Sequence, residues 1–323
     1  MSPLPASTEP PPVVAVVGPT AVGKSDLAVA LARALDGEIV NADSMQLYRG
    51  MDVGTAKLTP AEQQGVAHHL LDVWQIGQEA NVAGYQALAR AAFLDVRRRG
   101  RRPVLVGGSG LYLRAALDRM EFPGTDPAVR ARWEERLAAD GPAALHRALA
   151  EVDPAAAATI LASNGRRLVR ALEVVEITGR PFTASLPVAV YQVPAVQLGL
   201  TLPRPVLDAR IAARVDRMWE QGLVEEVRRL AGRGLAEGRT ASRALGYAQV
   251  LRHLAGELTE AQAREETVAA TRRFARRQDS WFRRDARVVW LDAAAPDLTG
   301  QALAAVARAE QTLGDVSAAE VDR

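Results

Sequence analysis

The sequence predicts an α/β fold with a parallel sheet core, a helical insertion domain and a helical C-terminal part. In the N-terminal third, apolar runs of strand length alternate with segments of helical periodicity, and this alternation is typical of parallel sheets. Each of these predicted strands ends in glycine or polar residues. Because ligands of such folds bind at the carboxyl ends of the strands, we expect the functional site there.

The elements of the predicted sheet begin with a short β-branched run that ends at Gly18. The helix that follows is expected to stop near Gly37, and the next one near Gly100. In chain order, this part is predicted as strand Val13 to Val17, helix Lys24 to Leu35, strand Glu38 to Ala42, helix Ala83 to Arg99 and strand Pro103 to Val106. A further helix is predicted from Leu111.

The second half of the chain is predicted to be mainly helical. Alanine, arginine and leucine dominate from Asp126 to Thr178. Two strands interrupt the helices, and the last residues carry little pattern. The predicted elements are strand Val196 to Leu202, helix Val206 to Leu230, helix Thr259 to Arg284 and strand Val288 to Leu291.

These patterns divide the chain into five segments. Residues 1–12 are predicted to be a disordered lead-in, and residues 294–323 a peripheral tail. Residues 13–125 and 196–293 are expected to form the core, the latter with basic C-terminal helices, and residues 126–195 the helical insertion.

Composition excludes several classes of protein. The chain has 323 residues, of which 48% are hydrophobic and 24% charged, so disordered and fibrous proteins are excluded. It has no cysteine, which excludes disulfides and thiolate zinc sites. The formal charge is only +2, so an anionic partner would have to bind a local basic patch. No membrane span or signal peptide is evident, and a cytoplasmic location is predicted.

The first predicted strand and helix are joined by a phosphate-binding pattern. Its residues are Gly18, Pro19, Thr20, Ala21, Val22, Gly23, Lys24 and Ser25. Glycines let backbone N–H groups turn around phosphate oxygens, and the helix dipole and Lys24 add positive charge. The Ser25 hydroxyl is a predicted Mg²⁺ ligand. We therefore predict a P-loop NTPase-like core that binds a diphosphate or triphosphate, ATP being one such nucleotide.

Further motifs carry a resemblance. In order, the chain reads GPTAVGKS, NADSMQLYRGMDVGTAK, HHLLDV, VGGSGLYL, NGRRLVRALEV, ARIAARVDRMWEQGLVEEV, SRALGYAQ and TRRFARRQDSWFRR. Together these strings resemble the tRNA dimethylallyltransferase (tRNA isopentenyltransferase) family from about residue 13 to residue 293. One departure is Ser109, where threonine is expected in many members, and the hydroxyl is kept.

The resemblance implies that the P-loop holds dimethylallyl diphosphate and that the acceptor is N6 of adenine 37 in the tRNA anticodon loop. Asp43 follows the second predicted strand and would accept the N6 proton. Lys24, Mg²⁺ and a distant arginine would stabilise the departing diphosphate. For that arginine we predict Arg210 or Arg214, which lie four residues apart on one helix face.

The same resemblance implies a prenyltransferase with a tRNA interface, and we expect a monomer. Eight arginines and four acidic residues lie between Arg264 and Arg287, with Trp281 as a candidate stacking platform for a base. The predicted tRNA-binding residues are Asp43, Ser44, Met45, Gln46, Ser109, Arg130, Arg166, Arg167, Arg170, Arg243, Arg277, Gln278, Trp281 and Arg283.

Three alternatives to the tRNA enzyme are considered. An isopentenyltransferase acting on free adenine nucleotides would need neither the helical insertion nor the basic helix. A P-loop kinase of small molecules normally has an acidic residue at a second strand end, whereas the strand Pro103 to Val106 is followed by Gly107 and Gly108. A GTPase-like RNA-binding switch would need an Asn-Lys-x-Asp motif, which is absent.

Overall fold

A computed structural model describes residues 10–182 and 188–321, with side chains as far as residue 312. It contains two compact units. The larger unit comprises Met1–Asp118 and Tyr191–Arg323, and the smaller unit comprises Arg119–Val190. The predicted lead-in at residues 1–12 lies mostly outside the described residues.

The larger unit is built on a six-stranded sheet in which every pairing is parallel. Its strands are β1 (Val13–Val17), β2 (Gly37–Asn41), β3 (His68–His69), β4 (Arg102–Val106), β5 (Ala195–Thr201) and β6 (Val288–Asp292). The strand order is β3-β2-β4-β1-β5-β6. The chain leaves β1 and β4 towards opposite sides of the sheet, so the topological switch point lies between these two strands. The predicted parallel sheet is confirmed, and the short edge strand β3 is an addition to it.

Side chains of β1 alternate between two hydrophobic cores. Val14 and Val16 belong to one core, and Val13, Ala15 and Val17 belong to the other. Each of these five residues has no exposed surface. Burial on both faces explains why β1 reads as a continuous apolar run with no polar alternation.

Helices cover the sheet and continue beyond it. The helices of the larger unit are α1 (Lys24–Ala34), α2 (Val82–Arg98), α3 (Gly110–Leu117), α7 (Arg204–Glu220), α8 (Leu223–Ala231), η1 (Ala241–Arg243), α9 (Tyr247–Leu254), α10 (Glu260–Phe282) and α11 (Leu298–Val321). The prediction of one helix from Val206 to Leu230 is wrong. Gly222, with φ 88°, separates α7 from α8, because a left-handed residue cannot continue an α-helix.

The C-terminal residues also differ from their prediction. Residues 294–323 were expected to be a peripheral tail, but α11 lies within them. Ala302, Ala305 and Val306 of this helix are buried in the same core as Val14 and Val16. Because the buried residues are mostly alanines, the hydrophobic periodicity that would have indicated a packed helix is weak.

The smaller unit is helical. Its helices are α4 (Pro127–Val152), α5 (Pro154–Thr159) and α6 (Gly165–Thr178). Asp126, Asp153 and Asn164 cap their N-termini with side-chain hydrogen bonds. Gly141, with φ 77°, kinks α4 ahead of Pro142. Among the described residues of both units, no helix combines the length and the apolar character needed to cross a bilayer.

Candidate active site

The phosphate-binding pattern forms the loop between β1 and α1. Gly18 has φ 136° and Gly23 has φ 104°, both in the region that favours glycine. A Cβ atom on Gly18 would lie 2.8 Å from the Leu200 carbonyl oxygen. Ala21 also has a positive φ, 65°, and such backbone conformations concentrate at functional sites. The loop therefore has the tight curvature that a P-loop needs at the N-terminus of a helix.

Lys24 is the first residue of α1 and lies near Arg214 and Asp43. Its Nζ donates a hydrogen bond to the Pro19 carbonyl oxygen at 2.7 Å. Burial and, secondly, the Arg214 charge lower the pKa of Lys24 to about 7, and the Asp43 carboxylate opposes this shift. A bound diphosphate would restore the lysine charge, since it would add negative charge at the same place.

Arg210 and Arg214 lie on α7 and both reach the P-loop, which agrees with their predicted common face. The Arg214 guanidinium donates to Thr20 Oγ1 at 3.3 Å and to the Thr55 carbonyl oxygen at 3.4 Å. Arg210 donates to the Val22 carbonyl oxygen at 3.5 Å. Arg214 is half-buried and Arg210 is exposed. Of the two, Arg214 is thus the more buried and makes more contacts at the P-loop.

Asp43 follows β2 at the same edge of the sheet. Asn41, the last residue of β2, accepts a hydrogen bond from the Asp43 N–H at 2.9 Å and donates to the Asp43 and Leu70 carbonyl oxygens. Asp43 Oδ1 accepts from the Met45 N–H at 2.9 Å. Asp43 Oδ2 makes no hydrogen bond with the described residues. One oxygen therefore caps a turn, and the other is available to accept a proton.

The Asp43 carboxylate and the basic groups of the P-loop lie close enough to influence one another. Its negative charge raises the pKa of both Lys24 and Arg214, against the larger lowering effect of burial. A carboxylate and two basic side chains thus converge at the carboxyl ends of β1 and β2, as expected for ligand sites of parallel sheets. The arrangement can accept a proton at one point and stabilise an anion at another.

Gln46 and the two serines complete this edge of the sheet. Gln46 Nε2 donates to the Thr55 carbonyl oxygen at 3.1 Å, and its Oε1 makes no hydrogen bond with the described residues. Ser109 precedes α3, and its hydroxyl donates to Ser44 Oγ at 3.4 Å. Met45 packs partly into a third hydrophobic core. Gln46 thus keeps a side-chain oxygen that can accept a hydrogen bond.

Gln278 was predicted to bind tRNA, but its amide is used inside the protein. The side chain is 6% exposed. Its Oε1 accepts from the Thr20 N–H at 2.9 Å, and its Nε2 donates to the Gly108 carbonyl oxygen at 2.9 Å. Gln278 thus joins α10 to the P-loop and to the loop after β4, and its contact with tRNA stays a prediction.

Trp281 of α10, the predicted stacking platform, is partly exposed. Its indole lies directly against Gly110, where a Cβ atom would overlap with it, and it packs against the core that contains Val13 and Val17. The glycines after β4 are thus needed for the close approach of α10. The ring thus packs against this core while part of it stays exposed, and its role as a stacking platform stays a prediction.

Three predicted tRNA-binding arginines of the larger unit are exposed, and their contact with tRNA stays a prediction. Arg277 is exposed and lies over the Phe274 ring at 5.7 Å. Arg283 pairs with Asp279 at 2.9 Å and lies over the Trp290 ring at 4.6 Å. Arg243 is exposed at the end of η1.

The remaining predicted tRNA contacts lie in the smaller unit. Arg130 and Arg170 both bind the buried Glu173 carboxylate, at 3.0 and 2.8 Å. Arg170 also donates to the carbonyl oxygens of residues 123 and 124. Arg166 and Arg167 are exposed on α6. Two of these four arginines thus help to hold the smaller unit together.

Ser25, the predicted Mg²⁺ ligand, fits a metal that is shared with substrate. Its hydroxyl makes no hydrogen bond with the described residues, and it lines a cavity of about 20 Å³ with Asn41, Gln46 and His68. In the part of the chain that the structure describes, no three His, Asp or Glu side chains cluster to hold a metal. A Mg²⁺ ion here would therefore take most of its ligands from phosphate oxygens and water, which is its usual preference.

Sequence reasoning missed two polar residues that shape the site. Asn41, at the end of β2, holds the Asp43 backbone, and the Thr55 carbonyl oxygen accepts hydrogen bonds from both Arg214 and Gln46. A buried amide at the end of β2 is the signal that could have revealed Asn41, since buried polar groups are normally hydrogen-bonded. Nothing in the local pattern could have revealed a backbone carbonyl.

Comparison with known proteins gives concordant results. A family model described as IPP transferase matches residues 46–285. The chain is 68% identical to the tRNA dimethylallyltransferase of Thermobifida fusca over 299 residues, which cover 91% of this chain and 94% of that protein. It is also 68% identical to the tRNA dimethylallyltransferase of Streptomyces avermitilis over 289 residues, covering 90% and 93%.

Solved structures are similar as well. The full-length tRNA isopentenylpyrophosphate transferase of Bacillus halodurans aligns with a TM-score of 0.70 and 38% identity, covering 95% of this chain and 99% of that one. A eukaryotic dimethylallyltransferase, described as acting on tRNA, aligns with a TM-score of 0.76 and 26% identity, covering 88% and 74%. The similarity thus extends over nearly the whole chain.

Proposed function

Because this chain belongs to the IPP transferase family, we propose that it transfers a dimethylallyl group from dimethylallyl diphosphate to N6 of adenine 37 in the anticodon loop of tRNA, releasing diphosphate. One observation carries the proposed chemistry: the Asp43 carboxylate, whose Oδ2 makes no hydrogen bond with the described residues, raises the pKa of both Lys24 and Arg214 through its charge. The transfer needs a base and an anion-binding site side by side.

In the proposed reaction, the adenine N6 attacks the allylic carbon as the bond from that carbon to the diphosphate oxygen breaks. The N6 lone pair forms the new bond, and the N6 proton passes to Asp43 Oδ2. The electron pair of the broken bond leaves with the diphosphate. The Asp43 Oδ1 atom remains bound to the Met45 N–H, so the turn keeps the carboxylate in place while the other oxygen accepts the proton.

The leaving diphosphate gathers negative charge as the bond breaks. Lys24, the P-loop N–H groups and Arg214 would stabilise it, which is the electrostatic part of the catalysis. Mg²⁺, held by the Ser25 hydroxyl and phosphate oxygens, would add positive charge to the same group. Gln46 Oε1 is a candidate acceptor for a base edge. We further propose that the enzyme acts as a monomer, and a tRNA substrate supports a cytoplasmic location.

The proposed function is tested by incubating the pure protein with Mg²⁺, radiolabelled dimethylallyl diphosphate and either unmodified tRNA or AMP, with ATP hydrolysis followed in parallel. We expect label in tRNA alone. Label in AMP would assign the chain to the enzymes that act on free nucleotides. ATP turnover without any label would favour the kinase alternative and contradict the role of Asp43.

The two arginines of α7 are expected to differ in effect. Arg214→Ala should lower kcat about 10²-fold, the scale for loss of one group that stabilises a developing anion. Arg210→Ala should change kcat less than about tenfold, since this side chain is exposed and makes a single 3.5 Å contact with the loop. Both rates are measured at saturating tRNA. Equal losses in the two variants would contradict the assignment of Arg214.

The basic helix α10 is expected to contribute to tRNA affinity through charge. Replacing Arg277 and Arg283 with alanine should weaken tRNA binding and reduce its dependence on salt. The slope of log K against log salt should fall by about 0.7–0.9 for each phosphate that the protein no longer neutralises. Affinity is measured by filter binding between low and moderate salt. The exposed Arg98 of α2, whose side chain is 75% exposed, provides a matched control, and an unchanged slope in the double variant would place α10 away from the RNA.

A further inference from the structure

Glu226 is a buried carboxylate that the proposed mechanism does not use. It lies on α8, is 3% exposed and belongs to the larger unit. Its Oε2 accepts hydrogen bonds from the N–H groups of Asp52 and Val53, at 3.1 and 2.9 Å. Its Oε1 accepts from the Gly54 N–H at 3.2 Å and from the Tyr247 hydroxyl at 2.6 Å. Three consecutive backbone amides therefore converge on one side chain.

The three N–H groups form an anion-binding site, and the Glu226 carboxylate occupies it. Successive N–H groups facing one point make a concavity that binds a negative charge, and hydrogen bonds to a carboxylate are stronger than those between neutral groups. The Tyr247 hydroxyl remains a donor, because burial and then the Glu226 charge raise the pKa of Tyr247. Segment 52–54 is thus held by a carboxylate from a distant helix.

The same segment leads directly into the candidate active site. The next residue is Thr55, whose carbonyl oxygen accepts from Arg214 at 3.4 Å and from Gln46 Nε2 at 3.1 Å. The second arm of Arg214 contacts Thr20 in the P-loop. The Thr55 carbonyl therefore helps to hold both the Arg214 guanidinium and the Gln46 amide.

Close packing makes this connection stiff. Gly54 lies against Tyr247 and Leu223, and a Cβ atom there would lie 2.8 Å from Leu223 Cδ1. The Thr55 hydroxyl donates to the Met51 carbonyl oxygen at 2.5 Å. After Thr55, Lys57 donates to the Tyr48 carbonyl oxygen at 2.7 Å and pairs with Asp52 and Asp72. A displacement of residues 52–54 caused by a change at Glu226 would therefore also shift Thr55, because the packed segment has little room to compensate.

We propose that Glu226 is a positioning residue for the transfer reaction: by holding the amides of residues 52–54 it fixes the Thr55 carbonyl, which orients Arg214 towards the leaving diphosphate and Gln46 towards the incoming base. This inference rests on the proposed function. It assigns a role in the site to a carboxylate on α8 that touches no substrate.

The test uses Glu226→Gln, which keeps the shape of the side chain but replaces one acceptor with an NH₂ group that faces N–H or O–H donors. Glu225→Gln is the matched control, because Glu225 precedes it on the same helix and its side chain is 68% exposed. We expect Glu226→Gln to lower kcat about 10–100-fold with less than a threefold change in KM for tRNA. The control should behave as the wild type.

A double-mutant cycle with Arg214→Ala separates positioning from general damage to the fold. If Glu226 acts through Arg214, Glu226→Gln should cost little further activity once Arg214 is alanine, because the two losses are coupled. Additive losses would overturn the proposal. Tyr247→Phe, which removes a single hydrogen bond to Glu226, replaces Glu226→Gln in the cycle if the latter does not fold.

A second readout does not depend on the prenylation assay. The dissociation constant for inorganic diphosphate should rise about tenfold in Glu226→Gln, since a displaced Arg214 no longer meets the anion, and should stay unchanged in Glu225→Gln. Equal affinity in both variants would overturn the proposal. If the wild type binds diphosphate but does not prenylate tRNA, the proposed function fails, and the diphosphate comparison still tests Glu226.

Discussion

Replacing Asp43 with alanine should lower kcat for tRNA prenylation about 10²–10⁴-fold, the range attributed to a general base, and change tRNA affinity less than about threefold. The adenine N6 must lose its proton as it attacks, and Asp43 Oδ2 is the free carboxylate oxygen beside the P-loop cations. tRNA affinity depends on many phosphate contacts, so one carboxylate contributes little to it. Single-turnover rates and filter binding measure the two quantities.

Asp43→Asn is the control that separates the base from the turn cap. Asparagine keeps an oxygen that can accept from the Met45 N–H, as Asp43 Oδ1 does at 2.9 Å, but its amide cannot take up a proton. We therefore expect Asp43→Asn to be as slow as Asp43→Ala while its melting temperature stays closer to that of the wild type. Wild-type activity in Asp43→Asn would show that Asp43 acts only as a cap.

Replacing Lys24 with alanine should lower kcat/KM for dimethylallyl diphosphate about 10²–10³-fold, the scale for removing one charge-stabilising group from a preorganised site. Lys24 begins α1, and its Nζ donates a hydrogen bond to the Pro19 carbonyl oxygen. Rotation of the side chain would bring Nζ to a bound anion. The measurement is the initial rate against donor concentration at saturating tRNA. A loss confined to tRNA affinity would contradict this role.

Lys24 should also make diphosphate binding depend on pH. Burial and Arg214 lower the pKa of Lys24 to about 7, so the free protein carries a charged lysine below that pH and a neutral one above it. The anion binds the charged form, and binding must therefore take up a proton at higher pH. The dissociation constant for inorganic diphosphate should accordingly rise with pH above about 7, by up to about tenfold per unit.

Lys24→Arg is the matched variant for this pH dependence. Arginine stays charged throughout the range, and both proteins bind the same titrating ligand, so the difference between their profiles belongs to Lys24. Calorimetric titration with inorganic diphosphate between pH 6 and 9 gives the two profiles. Parallel profiles would mean that Lys24 keeps its proton over the whole range.

The order of strands and helices could be read from the chain because each element has its own local pattern. β1 and β4 are short apolar runs with turn residues after them, and the P-loop glycines mark the boundary with α1. The break at Gly222 was missed because the apolar periodicity of α7 continues into α8 with similar phase. Two-residue β3 has no pattern of its own, since a strand that short is defined only by its pairing with β2.

The candidate site was predictable wherever a residue type and its spacing carry the chemistry. Lys24 and Ser25 follow from the phosphate-binding pattern, Asp43 from its place after a strand, and the pair Arg210 and Arg214 from helical spacing. The geometry agrees with these placements. Their separate roles depend on burial, which distinguishes the half-buried Arg214 from the exposed Arg210.

Other residues could be assigned only from the folded chain. Gln278 looks like a polar residue on a basic helix, yet its amide joins Thr20 to Gly108. Glu226 looks like one of two adjacent glutamates on α8, yet it alone is buried against the amides of residues 52–54. In both cases the partner lies more than 150 residues away in the chain, so no local pattern could identify it.

The amino-acid sequence alone determined the order of the elements, the phosphate loop and the family resemblance, because these depend on short-range periodicity and on motifs of fixed spacing. Tertiary structure decided which side chains face the substrate and which hold the site together. The physical reason is that burial and hydrogen bonding are set by contacts between distant segments. An arginine, glutamate or glutamine on a helix surface can either meet solvent and ligand or bind the backbone of another element, and only the packing of that helix decides between them.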